Sequence, residues 1–313
     1  MTGFGVPRDA YGEVLSRLGE TRKDLVVLDA DLSSSTKTSS FGKKFPDRFF
    51  NIGIAEQNMI GIAAGLATTG KTVFASSFAM FAVGRVYDQI RQSVAYPKTN
   101  VKIVATHAGI TVGEDGVSHQ MIEDISLMCA LPNMKVMVPA DTFETRRTIR
   151  EISSEKGPTY VRLGRSKVPN VFESEDEIKL GKAMTLMDGD DVTIIASGVM
   201  VSKSLEAAQK LQKEGISAGV LNLSTLKPID RQGIIKAGKK TGCVVTAEEH
   251  NIYIGMGALV SSILSEEYPV PILRCGIKDT FAQSGDYELL MQIYNLTSDE
   301  IYKLSKNVIT MRR

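Results

Sequence analysis

Short runs rich in β-branched residues alternate along this chain with longer stretches of helical periodicity, and this alternation constrains the fold more than any other feature. The strand-like runs are DLVVLDADL, KTVFASS, VKIVATHAG, KVMVPAD and TYVRLG, followed in the second half by DVTIIASG, SAGVLNLS and GCVVTAEE. The predicted helices between them are EQNMIGIAAGLATTG, FAMFAVGRVYDQIRQSVAYP, MIEDISLMCAL, TFETRRTIREISSEKG, VSKSLEAAQKLQKEG, DRQGIIKAGKK and MGALVSSILSEEY. Such alternation predicts parallel sheets covered by helices on both faces, which is an α/β fold.

One segment interrupts the alternation. SKVPNVFESEDEIKLGKA, near residues 166–182, is polar and acidic and contains proline. A chain of 313 residues is long enough to form two buried cores. We therefore expect two α/β domains with largely parallel sheets, at residues 1–170 and 183–313, joined by a linker at residues 171–182.

The composition excludes several classes of protein. The 37 Lys and Arg residues balance the 36 Asp and Glu residues, which argues against binding to nucleic acids or to a membrane surface. The three cysteines are widely spaced and form no paired motif, so neither a disulfide framework nor a zinc site is expected. The sequence shows no signal-peptide pattern and no apolar stretch long enough to span a bilayer, and we expect a cytoplasmic protein.

Glu56 lies in the segment FFNIGIAEQNMIGIAAGLATTG, which is almost entirely apolar or small and in which a helix is predicted to begin. Acidic residues are favoured in the first turn of helices, because the exposed N–H groups and the helix dipole stabilise negative charge. A carboxylate that enters an apolar region can also serve as a functional acid or base. The residues alone leave both interpretations open.

Two of the three histidines of the chain fall in the loop ATHAGITVGEDGVSHQ. His107 follows a predicted parallel strand, at the sheet edge where ligands bind in open α/β sheets. The loop then carries Glu114, Asp115 and His119 among glycines that allow the backbone to approach a ligand. These groups can exchange protons with sugar hydroxyls and carbonyls, although a solvated loop with helix-capping acids remains an alternative. Their spacing fits no established metal motif.

Phe78 and Phe81 are spaced by three residues, which would place them on one helical face. Such a pair is typical of core packing. It could equally form an aromatic wall for a flat heterocycle.

Four motifs together resemble transketolase: NIGIAEQNMIGIAAGLA, FASSFAMFAVGRVYDQIR, THAGITVGEDGVSHQ and LSTLKPID. They match the pyrimidine-binding domain and the C-terminal domain of this thiamine-diphosphate-dependent family, in the family's order. The similarity extends over essentially the whole chain, from PRDAYGEVLSRLG onward. The resemblance implies transfer of a two-carbon ketol unit from a ketose phosphate to an aldose phosphate.

The resemblance also implies roles for individual residues. Glu56 would bind the far ring nitrogen of the cofactor's aminopyrimidine and act in catalysis together with His107 and His119. The remaining implied contacts are Phe78 and Phe81 with the pyrimidine ring, Asp31 with the thiazolium and substrate, His107, Asp115 and His119 with sugar hydroxyls, and Arg8, Ser35 and Arg165 with a terminal phosphate. Arginine suits phosphate because its planar fork matches the phosphate oxygens, although considered alone Arg8 and Arg165 would be ordinary surface charges. Gly84 stands where some members carry a further aromatic residue.

The family's diphosphate-binding motif is missing from this sequence. In full-length transketolase, a GDG sequence and a later Asn hold Mg²⁺ and the diphosphate, and this chain contains no such pair. The resemblance therefore implies the C-terminal subunit of a split transketolase. An N-terminal partner subunit would supply the Mg²⁺ ligands, in an α2β2 tetramer.

Three alternatives remain. Part of a 1-deoxyxylulose-5-phosphate synthase would share IAEQ and the glycine-rich loop, but histidine is not usual there at position 107. A 2-oxo acid dehydrogenase beta subunit has this size and domain order but lacks GEDGVSHQ. A non-catalytic regulatory subunit would be expected to have lost some of Glu56, His107, Asp115 and His119, all of which are present.

Overall fold

The computed structural model describes residues 3–312, in which strands and helices alternate. The strands are β1 Phe4–Gly5, β2 Leu25–Asp29, β3 Phe49–Asn51, β4 Thr72–Phe78, β5 Val101–Thr106, β6 Lys135–Met137, β7 Thr159–Arg162, β8 Val168–Pro169, β9 Met184–Met187, β10 Val192–Ala196, β11 Ala218–Asn222, β12 Thr225–Lys227, β13 Val244–Asn251 and β14 Ile272–Ile277. The helices are α1 Pro7–Thr21, α2 Ser33–Thr36, α3 Ser39–Lys44, α4 Glu56–Thr68, α5 Ala79–Val83, α6 Tyr87–Gln89, α7 Asp124–Ala130, α8 Thr142–Ser154, α9 Met200–Gln212, α10 Arg231–Thr241, α11 Met256–Glu267, α12 Tyr287–Ile293 and α13 Ser298–Thr310. Single turns of 3₁₀ or π geometry lie at Pro46–Arg48, Gly84–Val86, Ile90–Ala95 and Ile110–Asp115.

The larger sheet has seven strands in the order β12-β6-β7-β5-β4-β2-β3. The strands β2 to β7 are paired in parallel, and only β12 at one edge runs antiparallel to its neighbour. All residues of β2, β4, β5 and β7 are buried. Burial on both faces explains why these strands are continuous apolar runs rather than alternating ones.

The smaller sheet has five strands in the order β14-β13-β10-β11-β9. Four of them are parallel, and β9 forms an antiparallel edge. The predicted α/β class with largely parallel sheets is confirmed. Within residues 3–312, no helix is long and apolar enough to cross a membrane.

The two halves of the chain are joined by more than a linker. Strand β12 comes from the second half but completes the first sheet through its pairing with β6. One buried apolar cluster also extends from Ala105 and Tyr160 in the first half to Ile195, Leu221 and Val260 in the second. The division at residues 1–170, 171–182 and 183–313 stays a prediction, and its residues 1, 2 and 313 lie outside the described part of the chain.

One predicted helix is wrong. The stretch FAMFAVGRVYDQIRQSVAYP was expected to form a single helix, but Phe78 is the last residue of β4, and α5 ends at Val83. Gly84 begins a 3₁₀ turn, and the chain then continues as α6 and a π turn. Glycine is about 1 kcal/mol less favourable than alanine inside a helix, which weakens the helix at this point. Phe78 and Phe81 therefore do not share one helical face.

Candidate active site

Residues predicted for the site lie at the carboxyl ends of neighbouring parallel strands. Asp31 follows β2 by two residues, Phe78 ends β4, His107 follows β5 and Arg165 follows β7. These strands are adjacent in the sheet, in the order β7-β5-β4-β2. The carboxyl edge of a parallel sheet is the usual place for ligands, because the loops that follow the strands converge there.

His107 has a left-handed backbone, with φ of +57°. This conformation is uncommon outside glycine and costs of order 1–3 kcal/mol, so surrounding contacts have to maintain it. The imidazole stacks on Phe78 with 3.7 Å between ring centroids. Its Nδ1 lies 2.8 Å from the Thr106 hydroxyl, and its Nε2 lies 3.4 Å from Nη1 of Arg8.

The charge state of His107 follows from this environment. Burial, and next the positive charges of Arg8 and Arg165, lower the imidazole pKa to about 3. Both effects disfavour the protonated ring. His107 is therefore a neutral hydrogen-bonding group at physiological pH.

Phe78, Phe81 and His119 form one aromatic group. The two phenyl rings are nearly parallel, with an interplanar angle of 17° and 6.2 Å between centroids. The imidazole of His119 meets Phe81 edge-on at 5.2 Å, and its Nδ1 lies 2.9 Å from the Ser118 hydroxyl. Together with the stacked His107, this arrangement brings four predicted site residues into contact.

Glu56 is the first residue of α4 and is only 3% exposed. The helix-start interpretation is thus correct for its position, although the carboxylate also has a specific partner. Nη1 of Arg85 donates to Glu56 Oε2 at 3.0 Å, and the same guanidinium lies 4.4 Å from the Phe81 ring centroid. Glu56 and the aromatic group are therefore joined through one planar cation.

The sequence reasoning did not identify Arg85 as a site residue. It lies within the quoted motif FAMFAVGR, but 29 residues separate it from Glu56. Arginines are usually exposed, and the Arg85 side chain is 47% exposed, so its residue type does not distinguish it from an ordinary surface arginine. The one local signal is its spacing of four residues from Phe81, whose ring the Arg85 guanidinium contacts in the structure.

The predicted anion-binding residues are partly brought together. Nη1 of Arg8 donates to the Ser35 carbonyl at 3.0 Å, and its buried Nε has no hydrogen-bond partner within residues 3–312. Burial lowers the pKa of Arg8, the nearby Asp9 carboxylate opposes this effect, and repulsion from Arg165 adds to it. Two guanidinium groups that repel each other beside an unused buried N–H form a position where an anion is favoured.

Arg165 also contacts the loop that follows β5. Its Nη1 donates to the Val112 carbonyl and lies 3.4 Å from the Glu114 carboxylate and 3.9 Å from that of Asp115. The exposed Asp115 is therefore on the same side as the predicted anion site. The loop itself is not a solvated connection, because residues 110–113 are buried.

Asp31 has a left-handed backbone, with φ of +61°, and its contacts are with Asn51. The Asn51 side chain accepts from the Asp31 N–H at 3.0 Å and donates to the Asp31 carboxylate at 3.1 Å. Asp31 shares the sheet edge with the other site residues. Its recorded contacts do not include them.

Within residues 3–312, no three His, Cys, Asp or Glu side chains lie close enough to hold a metal ion. The polar groups at the sheet edge are instead two histidines, a paired glutamate and two arginines. Such a set can bind a flat heterocycle, sugar hydroxyls and an anionic group.

Two family models match nearly the whole chain. Residues 7–171 match the transketolase pyrimidine binding domain, and residues 181–301 match the transketolase C-terminal domain.

Similar proteins support the same assignment. A Methanocaldococcus jannaschii protein whose name describes a transketolase C-terminal section is 53% identical, over 95% of this chain and 94% of that protein. A 6-deoxy-6-sulfo-D-fructose transketolase subunit from Clostridium sp. (strain MSTE9) is 40% identical, over 96% of this chain and 94% of that protein. Human transketolase is 33% identical over 97% of this chain, which spans 49% of the human protein.

A solved structure described as a split gene transketolase, inactive beta4 tetramer, superimposes with a TM-score of 0.91. It is 49% identical and covers 99% of this chain and 100% of its own. With the two family models and the relatives above 30% identity, this likeness decides the family. The chain belongs to the transketolase family, of which it carries the pyrimidine-binding and C-terminal domains.

Proposed function

We propose that this chain is the C-terminal subunit of a split transketolase, which transfers a two-carbon ketol unit from a ketose phosphate to an aldose phosphate. The observation that carries the proposal is the buried Glu56 carboxylate, which Arg85 joins to the aromatic group of Phe78, Phe81 and the two histidines. A buried carboxylate beside aromatic rings is suited to a heterocycle that needs one proton held at a ring nitrogen.

The residues fit thiamine diphosphate, on which the transketolase family depends. A planar group with N–H donors, the Arg85 guanidinium, already contacts both Glu56 and the Phe81 ring. An aminopyrimidine is also planar and can also donate to a carboxylate, so Glu56 would hold the proton at its ring nitrogen while Phe78 and Phe81 contact the ring. The bound cofactor supplies the carbon nucleophile for breaking and forming carbon–carbon bonds.

The chain's own residues would then bind and orient the sugar. His107 is neutral, and its Nδ1 is engaged by the Thr106 hydroxyl, so Nε2, which lies 3.4 Å from Nη1 of Arg8, would be the ring nitrogen that contacts a sugar hydroxyl. His119 and Asp115 would contact further hydroxyls, and Asp31 would lie near the reacting end of the substrate. Catalysis is assigned to Glu56, His107 and His119.

Arg8, Arg165 and the Ser35 segment would hold the terminal anion of the sugar. The mutual repulsion of the two arginines and the unpartnered Nε of Arg8 support this assignment. The relative named for 6-deoxy-6-sulfo-D-fructose favours a second candidate donor, a ketose that ends in a sulfonate. Phosphate and sulfonate are both oxyanions that arginine binds through charge-assisted hydrogen bonds.

An N-terminal partner subunit would complete the enzyme by binding the diphosphate through Mg²⁺. The likeness to a transketolase C-terminal section and to a split gene transketolase supports such a partner. Phe50 and Ile54, which lie just before Glu56, are 42% and 78% exposed, and exposed apolar side chains of this kind are typical of interfaces. We propose an α2β2 tetramer, in which two copies of this chain pair with two partners.

The test combines this chain with the N-terminal transketolase subunit of the same organism, thiamine diphosphate and Mg²⁺. Ketol transfer is measured from xylulose 5-phosphate to ribose 5-phosphate and, separately, from a sulfonated ketose. Glu56→Gln should lower turnover by on the order of a hundredfold or more, because the ring nitrogen loses its acid–base partner.

Glu266→Gln is the matched control, because Glu266 is an exposed carboxylate on α11. It should leave turnover unchanged. Near-normal turnover of Glu56→Gln in the same mixture would contradict the assignment, and absence of transfer with every donor would contradict the proposed function.

A further inference from the structure

The carboxyl end of β13 in the second sheet faces the loop that follows β5 in the first. Three consecutive ionisable residues of β13, Glu248, Glu249 and His250, are at most 3% exposed. In an open α/β sheet, this edge is the usual ligand-binding edge. Here it is covered by the chain's own residues 109–111.

The carboxylate of Glu249 is bonded directly to that loop. Its Oε1 accepts a hydrogen bond from the Thr111 N–H at 2.7 Å. A Cβ atom added to Gly109 would lie 2.2 Å from the Glu249 carboxyl carbon, and Gly109 has φ of +80°. Any other residue at position 109 would therefore displace the carboxylate, so the glycine and the glutamate fit each other.

A buried carboxylate needs compensation for its charge. Nη1 of Arg162 lies 3.8 Å from Glu249 Oε2, and Nη2 of Arg162 donates to the Glu249 carbonyl at 2.9 Å. The same arginine donates from Nε to the Asp124 carboxylate at 2.9 Å. The guanidinium thus holds the main chain of Glu249 by a hydrogen bond, and its positive charge lies near the Glu249 carboxyl group, whose Oε2 has no hydrogen-bond partner within residues 3–312.

The far end of the loop is also held from the second half of the chain. The Gln120 side chain donates to the Gln283 carbonyl at 3.1 Å, and the Ser284 hydroxyl donates to the Glu114 carbonyl. Residues 109–120 are therefore fixed at both ends by residues that lie beyond residue 240.

We propose that Glu249 is a positioning residue of the active site. From the C-terminal half, it fixes the backbone from Gly109 to Thr111, and so sets the placement of His107 before that turn and of Asp115 and His119 after it. The effect on catalysis rests on the proposed function. The fixing of the loop by Glu249 is independent of that function.

The adjacent residue provides a matched control. Glu248 is an equally buried carboxylate, but it accepts from the N–H groups of Met256 at 2.6 Å and Gly257 at 2.7 Å, at the start of α11. It makes no recorded hydrogen bond with residues 109–120 of the described chain. Loss of Glu248 should therefore disturb a different part of the protein.

The first measurement is amide hydrogen exchange, followed by mass spectrometry, on the full chain without partner or cofactor. Glu249→Ala should speed exchange in peptides covering residues 109–116 by about tenfold or more, because the Thr111 N–H loses its side-chain acceptor. Glu249→Gln has a side chain of the same length with a carbonyl oxygen that can still accept from the Thr111 N–H, so it should retain most of the protection against exchange. Glu248→Gln should change exchange around α11 instead.

The second measurement uses the chain combined with its partner. Glu249→Ala should raise KM for the sugar about tenfold, with a smaller change in kcat and no change in the apparent affinity for thiamine diphosphate. Glu249→Gln should lie near wild type. A purely structural role would instead reduce the amount of active enzyme and leave KM unchanged.

Unchanged exchange at residues 109–116 in Glu249→Ala would overturn the proposal, as would equal acceleration of exchange in that loop by Glu248→Gln and Glu249→Ala. The exchange measurement needs no activity. It therefore tests whether Glu249 fixes the loop independently of the activity assay. If the assay of the combined subunits shows no transferase activity, the exchange result still stands.

Discussion

The imidazole of His107 lies flat on the Phe78 ring, with Thr106 beside one ring nitrogen and Arg8 beside the other. An added proton would meet the positive charges of Arg8 and Arg165 in a buried site. The pKa of about 3 follows from these two causes. The stability of the protein therefore depends on keeping this ring neutral.

Stability should fall in acid because of His107. An unfolded imidazole has a pKa of about 6.5, so between that value and about 3 the unfolded chain binds the proton and the folded chain does not. The linkage contributes roughly 2 kcal/mol of lost stability at about pH 5. His107→Asn should therefore lose less stability than wild type when pH is lowered from about 7.5 to about 5, as measured by urea unfolding at both pH values.

His250 provides an internal comparison. Burial lowers its pKa to about 4, so His250→Asn should also reduce the acid sensitivity, in the same direction. Equal losses of stability in wild type and His107→Asn would show that His107 titrates normally in the folded protein.

The sequence singles out some of the proposed site residues and not others. Glu56 and His107 could be proposed as site residues because a carboxylate in an apolar run and a rare histidine after a strand each stand out locally and lie in the motifs that resemble the family. Arg85 could not, because its role depends on a contact across 29 residues of sequence. Glu249 was also not identifiable, because its partner Thr111 is 138 residues away.

At the scale of the element, the turn between β2 and α3 is organised by a single carboxylate. Asp29, the last residue of β2, is buried and accepts hydrogen bonds from the Leu32 N–H at 2.7 Å, the Thr36 hydroxyl at 2.6 Å and the Thr38 hydroxyl at 2.8 Å. This turn carries two of the proposed site residues, Asp31 and Ser35. Their placement therefore depends on Asp29.

Asp29→Asn should lower the free energy of unfolding by about 1–3 kcal/mol, because the amide cannot accept all three hydrogen bonds. Asp31→Asn is the matched control, since Asp31 is exposed and asparagine tolerates its left-handed backbone. The control should change stability by less than about 0.5 kcal/mol. Denaturant unfolding of both variants measures the difference, and similar losses in the two would show that Asp29 does not organise the turn.

The helices and strands that could be predicted are those whose local residue pattern is sufficient to form them. The central parallel strands are buried on both faces, so their apolar runs are long and visible. Strands β3 and β12 have three residues each and exist only through pairing with distant strands, so no local pattern indicates them. The helix predicted over residues 78–97 failed because Gly84 and the extension of β4 to Phe78 outweighed its apolar periodicity.

At the scale of the whole molecule, the proposed function gives this chain one wall of a cofactor site. The groups suited to a pyrimidine and a sugar are present, whereas within residues 3–312 no cluster of carboxylates or histidines could hold a metal ion. A diphosphate binds strongly only where a metal ion or several cations neutralise its charge. The assembled enzyme, rather than this chain, should therefore bind the cofactor.

Calorimetry of thiamine diphosphate and Mg²⁺ against the isolated chain should show weak binding or none. The same titration after addition of the N-terminal subunit should show Mg²⁺-dependent binding, and ketol transfer should appear with it. Tight, Mg²⁺-dependent binding by the isolated chain would contradict the proposed division of the site between two subunits.

The pairing of β12 with β6 has a consequence for the order of events on the ribosome. Strand β6 ends at Met137, but its partner β12 begins only at Thr225. At translation rates of about 5–20 residues per second, the edge of the first sheet stays unpaired for roughly 5–20 seconds while the intervening chain is made. During that interval the nascent chain presents an open strand edge, which is the kind of surface that chaperones cover and that neighbouring nascent chains can pair with.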